Sequence, residues 1–397
     1  MNEYHIIIPR TYTASEWITA YELAHFMTEM GHSTDVTTMG TGVGKTIFIG
    51  NAKALDINCY AMSDMHLSAG SAYGYERLLA EIKARIEDGE LPESIELSGD
   101  LSDSLEAPQI YTQKRSGDAR VMFFNVFNNI YKVDKINTPN LTSGPIALRH
   151  LIEKELIDSY LPDVLCMQEY QKWFREGWEG SPAMTAYLYE LGYSEASTET
   201  FDGISNATPI FYRPDSLELI ECGYHVYSGD NDGGTKSITW ARLRVRKNGK
   251  RFVAMSTHFM WNADWMSRED AAEARMKNAR EALALRDEIA ADDPVIFGGD
   301  LNCNSASMEW KMLADGGFSY AKSIAEVFNT SCGWKNYAIY DSDINVYTSI
   351  PVPHDGNGLD HVFVWGNVKV DAFMTVTDKL ALLSSDHCPK FADITLN

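Results

Sequence analysis

The chain is 397 residues long, which predicts two or three domains, and its 45% hydrophobic content is ample for ordinary globular cores. With 56 Asp and Glu against 34 Lys and Arg, the formal net charge is −22. Such a chain repels a phosphate backbone unless a basic patch or metal ion offsets the field, which disfavours a grip on long nucleic acid but not on a small phosphorylated substrate.

Residues 1–97 read as a small α/β domain. HIII at 5–8 predicts a strand, and Trp17, Ala20, Ala24, Met27 and Met30 recur at helical spacing up to a stop at Gly31. TIFIG at 46–50 predicts a second strand. Tyr75, Leu78, Leu79, Ile82 and Ile86 predict a second helix, ended by Gly89. GTGVGKT at 40–46 imitates a phosphate-binding loop, but the pattern would need glycine where Met39 stands, and Thr46 opens a strand instead of a helix. It is read as a turn.

Residues 98–118 are polar and aperiodic, as a linker would be. From 119 onward strands dominate: VMFFNVF (121–127), DVLCMQ (163–168), TPIFYR (208–213), ITWARLRVR (238–246), RFVAMSTHF (251–259), PVIFGGD (294–300), LDHVFVWG (359–366) and PKFADITL (389–396). One long helix is predicted near 268–291. Many strands with few helices between them predict a mixed, largely antiparallel α/β sandwich over 119–397, preceded by the small α/β domain. No run approaches the roughly 18–20 apolar residues of a membrane span. MNEYHIIIPR turns polar too soon for an export signal, and an exported form whose signal has been removed is the alternative. Six scattered cysteines without a CxxC pair argue against a zinc site or a disulfide framework, and reduced thiols in a cytoplasm are the expected account.

The stretch PVIFGGDLNCN (294–304) raises the functional question. An apolar strand runs into two glycines, then into Asp300 and Asn302, whose spacing puts them on one face. The glycines would turn the chain or admit a ligand, and an Asx turn is the plain alternative. Similar polar punctuation recurs. Asn125 interrupts one strand, Glu169 and His258 end two others, Asp360 and His361 interrupt a fourth, and Asp386 and His387 precede the last. A single histidine at a strand end is more often a satisfied hydrogen-bonding residue than a catalyst. Several such ends on one edge of a sandwich would form a cleft.

In chain order, FNV (124–126), PDVLCMQE (162–169), STH (256–258), GGDLN (298–302), LDH (359–361) and SDH (385–387) resemble the motifs of the endonuclease/exonuclease/phosphatase superfamily, the deoxyribonuclease I-like metal-dependent phosphoesterases. The resemblance spans about residues 115–397 and implies a four-layer α/β/β/α sandwich. It implies metal contacts at Glu169, Asp386 and Asn125. Hard oxygen ligands of this kind suit Mg²⁺ or Mn²⁺, which keep waters and meet substrate phosphate directly. Asp300 and Asn302 match the pair that orients the attacking water and holds the phosphoryl group. His387, with Asp360 orienting it, matches the histidine beside the scissile phosphate. His258 matches a second phosphate-facing histidine, and Asn125 also supports the phosphate. Whether Asp300 or His387 takes the water's proton stays open. His361 alternates to the opposite face and reads as structural. TWARL (239–243) and EARMKNAREALAL (273–285) look like the deadenylase-like, secreted-phosphoesterase branch. The first domain's IIIPRTYTASEWITAYELAHFMTEMG and TIFIGN resemble the small N-terminal accessory domain of some glycoside hydrolases, which implies carbohydrate contact and no catalytic residues there.

Loops around the implied centre would set the substrate. Residues 171–203 carry Trp173, Phe174 and Trp178, residues 223–237 are glycine-rich and acidic, residues 346–358 form a third loop, and Trp261 and Trp265 follow His258. Aromatics beside a phosphate site either stack on bases or sugars or pack the loops closed. No Lys/Arg stripe follows a nucleic-acid backbone. The expectation is a Mg²⁺-dependent phosphodiesterase on a small or exposed substrate: a lipid headgroup, sugar conjugate or nucleotide. An endo- or exonuclease is the alternative among enzymes, and a non-catalytic binding protein of the same fold the alternative outside them.

Overall fold

The computed structural model describes residues 3–38, 45–50, 65–69, 72–89, 96–97, 114, 117–127, 146–170, 183–197, 199–202, 204–329, 336–341, 343–351 and 358–397. The chain divides into two compact units, Met1–Thr112 with Ile339–Thr348, and Gln113–Ala338 with Ser349–Asn397. Most of the stretch read as a linker, 98–118, lies outside the described residues, as do 40–44 of the loop-like GTGVGKT.

In the first unit β1 (Glu3–Ile7), β2 (Ser33–Thr37), β3 (Lys45–Ile49), β4 (Met65–Leu67) and β5 (Glu96–Leu97) form a parallel sheet in the order β2-β1-β3-β4-β5. Parallel neighbours need crossovers, and α1 (Ala14–Glu29) and α2 (Ala72–Glu87) lie in two of them. A capping box opens α1: Thr13 Oγ1 accepts from Glu16 N at 3.2 Å while Glu16 accepts from Thr13 N at 2.7 Å. Trp17, Ala20, Ala24 and Met27 are buried, as are Tyr75, Leu78, Leu79, Ile82 and Ile86. Met30 is the exception, exposed because it caps the helix beyond its last turn. β2 escapes the sequence reading because STDVT holds one apolar residue, which suffices for an edge strand.

The second unit holds two sheets. The first runs β17 (Val327–Phe328), β21 (Val368–Thr375), β22 (Lys390–Leu396), β6 (Ala119–Asn125), β7 (Val164–Gln168), β11 (Ile210–Tyr212), β8 (Ser194–Glu195). The second runs β12 (Leu217–Val226), β13 (Ser237–Val245), β14 (Arg251–His258), β15 (Val295–Asp300), β20 (Asp360–Trp365), β16 (Ser319–Tyr320). Pairing is antiparallel except at β6–β7, β14–β15 and β17–β21. Apart from the sheets of either unit stand two small pairs, β9 (Thr200–Phe201) with β10 (Ile204–Ser205) and β18 (Asn336–Asp341) with β19 (Val346–Pro351).

The sheets face each other across one apolar core, with Phe123 and Cys166 from the first meeting Leu243, Phe252, Ile296 and Val362 from the second. Each such side chain, fully buried, contributes roughly 1.5–3 kcal/mol. Outside the second sheet, α5 (Arg268–Ile289) and α6 (Met308–Asp315) set Ala279, Ala282 and Leu313 against Val253, Met255, Phe297 and Phe363. Outside the first sheet, α3 (Ile146–Tyr160) lays the Tyr160 ring 5.9 Å from that of Phe391, and α8 (Lys379–Ser384) packs on α3. The layering is therefore α/β/β/α. Short helices α4 (Ala183–Glu190) and α7 (Ala321–Ile324) complete the described helices.

β12 and β21 were not read from the sequence, nor were the short strands β8, β9, β10, β16, β17 and β18, and β19 (Val346–Pro351) is a strand where 346–358 was read as a loop. β12 overlaps the predicted loop 223–237. It is an edge strand whose Glu218, Glu221 and His225 interrupt its apolar pattern. β21 hides behind Asp371, which sits where the register shifts between Val370 and Ala372.

Candidate active site

Register brings the polar strand ends together. Across the second sheet His258 pairs with Asp300 and Asp300 with Asp360, so three neighbouring strands present these residues on adjacent rungs. In the first sheet Asn125 pairs with Gln168, one residue before Glu169. The two edges meet through Asn125, whose Nδ2 donates to Glu169 Oε1 at 3.1 Å and to Asp300 Oδ2 at 3.0 Å.

The two glycines before Asp300 make no turn; β15 runs straight through them. A Cβ on Gly298 would lie 2.5 Å from the His361 carbonyl oxygen, and one on Gly299 would lie 2.0 Å from that of Thr257. Gly299 also has φ +134, a conformation that side chains disfavour. The glycines let β15 fit between its neighbours. Beyond them Asp300 Oδ1 accepts from Asn302 N at 2.8 Å, an Asx turn, and Asn302 takes φ +49. The turn is how Asn302 reaches the site: its Nδ2 lies 3.1 Å from His258 Nε2 and donates to the Phe259 carbonyl at 3.0 Å. Glu169 likewise has φ +57 as the chain leaves β7. Left-handed non-glycine residues concentrate at functional sites, where the surrounding structure enforces them.

His387 Nδ1 donates to Asp360 Oδ2 at 2.9 Å, and its Nε2 stands 3.9 Å from both Asp300 Oδ2 and Asp386 Oδ1. The segment before it is anchored: Ser385 Oγ donates to the Asn125 carbonyl at 2.7 Å and accepts from His387 N at 3.1 Å. Arg149 of α3, absent from the sequence reading, clamps both sides. Its Nε donates to Ser384 O at 2.7 Å, and its Nη2 to Phe127 O at 2.9 Å and to Val126 O. His361 turns away, with Nε2 2.8 Å from Cys303 O and its ring among Trp310, Tyr320 and Phe363.

Burial of several ionisable groups shifts their protonation. Burial pushes Asp300 up to about 7, with His387 opposing and Asp360 and Glu169 reinforcing the rise. Burial likewise pushes Asp386 up to about 6, with His387 opposing and Glu169 reinforcing. Burial alone would lower His387, but Asp360, Asp386 and Asp300 outweigh it and hold the imidazole well above its ordinary value, so it is protonated at neutral pH. Burial would raise Asp360, but His387 and Lys390 bring it below the ordinary carboxylate value. His258 goes the other way: burial, then Lys236 and His387, hold it well below its ordinary value and neutral.

Lys236 is the second residue the sequence reading missed. It is 4% exposed, and its Nζ lies 3.0 Å from His258 Nε2 and 3.3 Å from Nδ1. The only signal was a lone lysine in an acidic, glycine-rich turn. Of the flagged aromatics, Trp173, Phe174 and Trp178 lie outside the described residues. Trp261 and Trp265 cross edge-to-face at 5.5 Å, and each indole N–H donates to an aspartate, Asp232 at 3.2 Å and Asp230 at 3.4 Å.

The oxygen-rich donor set fits a hard divalent ion. Ligand atoms of Glu169, His258 and Asp300 lie within 4.8 Å of one another, as do those of Asp300, Asp360 and His387. Asp386 Oδ1 is buried without a hydrogen-bond partner, an acceptor that a cation would satisfy. Asn125 Oδ1 accepts from Phe127 N at 2.9 Å and keeps a second lone pair, while Nδ2 orients Glu169 and Asp300. Among the described residues no helix is long and apolar enough to cross a membrane.

A sequence model of the Endonuclease/Exonuclease/phosphatase family matches residues 122–387, well over half of the chain. Nocturnin of Drosophila melanogaster is 25% identical over 157 residues, which are 39% of this chain and 23% of that protein's length. An endonuclease/exonuclease/phosphatase structure from Bacteroides vulgatus is 22% identical with a TM-score of 0.53, covering 70% of this chain and 99% of its own. The mannosyl-6-phosphatase of Bacteroides thetaiotaomicron, 16% identical, has a TM-score of 0.54 over 70% of this chain and all of its own (100%). The structural likenesses show the sandwich fold, and the family model over 122–387 shows that the chain belongs to the Endonuclease/Exonuclease/phosphatase family, as an enzyme of the metal-dependent phosphoesterase type.

Proposed function

We propose that this enzyme hydrolyses a phosphodiester of a small or exposed substrate, a sugar conjugate, lipid headgroup or nucleotide, with Mg²⁺ or Mn²⁺ as cofactor. The observation that carries the proposal is the convergence on Asp300 of Asn125 at 3.0 Å, His258 at 3.4 Å and His387 at 3.9 Å. Glu169 and Asp386 would hold the ion, with Asn125 orienting Glu169. When bound, the ion supplies Lewis acidity and neutralises charge on the phosphate oxygens. Asp300, raised to about 7, takes the proton of the attacking water. His387 is already protonated and cannot; it stabilises negative charge developing on the phosphoryl group. Asn302 and the neutral His258 position the opposite side of the phosphate.

A small substrate is favoured by charge. Asp230 and Asp232 hold the tryptophans that follow His258, so carboxylates line this approach. A polyanionic strand would meet them repeatedly, whereas a single phosphate passes them once. The test is hydrolysis with Mg²⁺, with and without chelator, of an aryl phosphodiester, an aryl monophosphate, mannose 6-phosphate and single- and double-stranded oligonucleotides. Chelator-sensitive turnover of the small diester is expected. Cleavage of oligonucleotides alone, with binding that weakens steeply with salt, would replace this reading with a nuclease.

A further inference from the structure

We infer that Lys236 is a phosphate-binding residue of this site, its ammonium joining Asn302 and His258 around a non-bridging phosphate oxygen. The inference rests on the phosphoesterase reading above. Its starting point is placement. β13 begins at Ser237 and pairs with β14 through Ile238 and Thr257, so Lys236 leaves the sheet at the edge where His258 ends β14.

The second observation is an incomplete charge pairing. A buried ammonium costs several kcal/mol unless a carboxylate and hydrogen bonds repay it. Among the described residues, the carboxylate within ion-pair distance of Nζ is Asp232 at 3.8 Å, beyond hydrogen-bond range. The shorter contact, 3.0 Å, is to a neutral imidazole nitrogen. Asn302 Nδ2 approaches that same nitrogen at 3.1 Å. Two donors, one of them charged, therefore converge on one point of the site, as an anion seat requires.

The third observation is rigidity. Asp232, Gly233 and Gly234 all have positive φ, at 51, 66 and 92. Asn231 pins the turn, accepting from Gly234 N at 2.9 Å and donating to Tyr227 O at 3.1 Å. Its carbonyl accepts from Lys236 N at 3.1 Å, and Tyr227 N donates to Lys236 O at 3.1 Å. Asp232 is itself fixed by the Trp261 indole at 3.2 Å. A flexible surface lysine would lose side-chain entropy on gripping an anion; this one has lost it on folding.

The test uses the full chain with Mg²⁺ and inorganic phosphate as probe, reading thermal shift and competitive inhibition. K236M removes the charge and keeps the stem, K236R restores charge, and K236Q stands in should a buried methionine disturb the turn. Wild type is expected to bind phosphate. K236M and K236Q should keep the Mg²⁺-induced shift and bind phosphate at least about tenfold more weakly, with K236R recovering most of the loss. Wild-type phosphate affinity in folded K236M or K236Q would overturn the inference. So would joint loss of the Mg²⁺ and phosphate responses in both, which would make the lysine structural. A wild type that binds Mg²⁺ but no phosphate would instead bring down the phosphoesterase reading, and the lysine's role with it.

Discussion

Two histidines stand at opposite ends of the site, 2% and 6% exposed, yet they carry opposite charge states. His387 has Asp360 at 2.9 Å and Asp386 and Asp300 at 3.9 Å, and is held protonated. His258 has Lys236 at 3.0 Å and Asn302 at 3.1 Å, and is held neutral. Burial pulls both rings toward neutrality, so neighbours decide the outcome. One end is built to meet charge that develops during reaction, the other to seat charge already present. Asp300 lies between them and touches both.

The largest effects should come from breaking this division. Asp300→Asn and His387→Ala are each expected to lower kcat by about 10²–10⁴ without loss of folding. His258→Ala should cost less, about 10–10², and show more in KM than in kcat. Steady-state kinetics on an aryl phosphodiester decide it: equal kcat losses from the two histidines would remove the distinction.

Asp360→Asn sharpens the same point. Removing the carboxylate 2.9 Å from Nδ1 should drop the His387 pKa, while His258 keeps its own. In the wild type the folded pKa of His387 lies above the ordinary His value of about 6.5. Its contribution to stability is therefore fully present below about 6.5 and lost as pH rises through the folded value. The variant should lose that dependence and about 10–10² in kcat. NMR titration of the ring protons checks it; an unmoved His387 resonance sinks the account.

Metal linkage is the next effect. Asp300 and Asp386 are raised to about 7 and about 6, so the metal-free fold is destabilised as pH climbs from the ordinary carboxylate range through those values. A divalent ion binds the ionised carboxylates and relieves that cost. Below pH 6 binding must displace protons, at about tenfold in affinity per pH unit for each. The rise in Tm on adding Mg²⁺ should thus be larger at pH 7.5 than at pH 5.5. Identical shifts at the two pH values would mean that these carboxylates do not bind the ion.

What was legible in the sequence was what local pattern encodes. The apolar strands announced themselves, and with them their polar ends: Asn125, Glu169, His258, Asp300, Asp360 and His387 sit in or beside recognisable strands, and register brings His258, Asp300 and Asp360 together. Lys236 and Arg149 had no such mark. One comes from a glycine-rich turn and the other from a helix, and only the tertiary fold carries them to the site. The charge states of the histidines were equally hidden, because they depend on neighbours distant in the chain: Lys236 acts on His258, and Asp360 and Asp300 on His387. β12 and β2, edge strands with little apolar periodicity, could not be told from loops. The two glycines of β15 were legible as necessary but not in purpose, since the carbonyls they accommodate belong to neighbouring strands.

The smallest effect tests the rim beside His258. Trp265 is 59% exposed, and its indole N–H is held by Asp230 at 3.4 Å, so one ring face is presented to solvent at fixed orientation. An aromatic contact of this kind adds about 0.5–1.5 kcal/mol, roughly 2- to 10-fold in affinity. Trp265→Ala should raise KM by that factor for a phosphodiester whose leaving group carries a ring, and leave KM unchanged for one with a short alkyl group. An equal rise for both would mean that the tryptophan packs the approach closed instead of contacting substrate. A fall in kcat at constant KM would place it in the chemistry, contrary to the division drawn between the two ends.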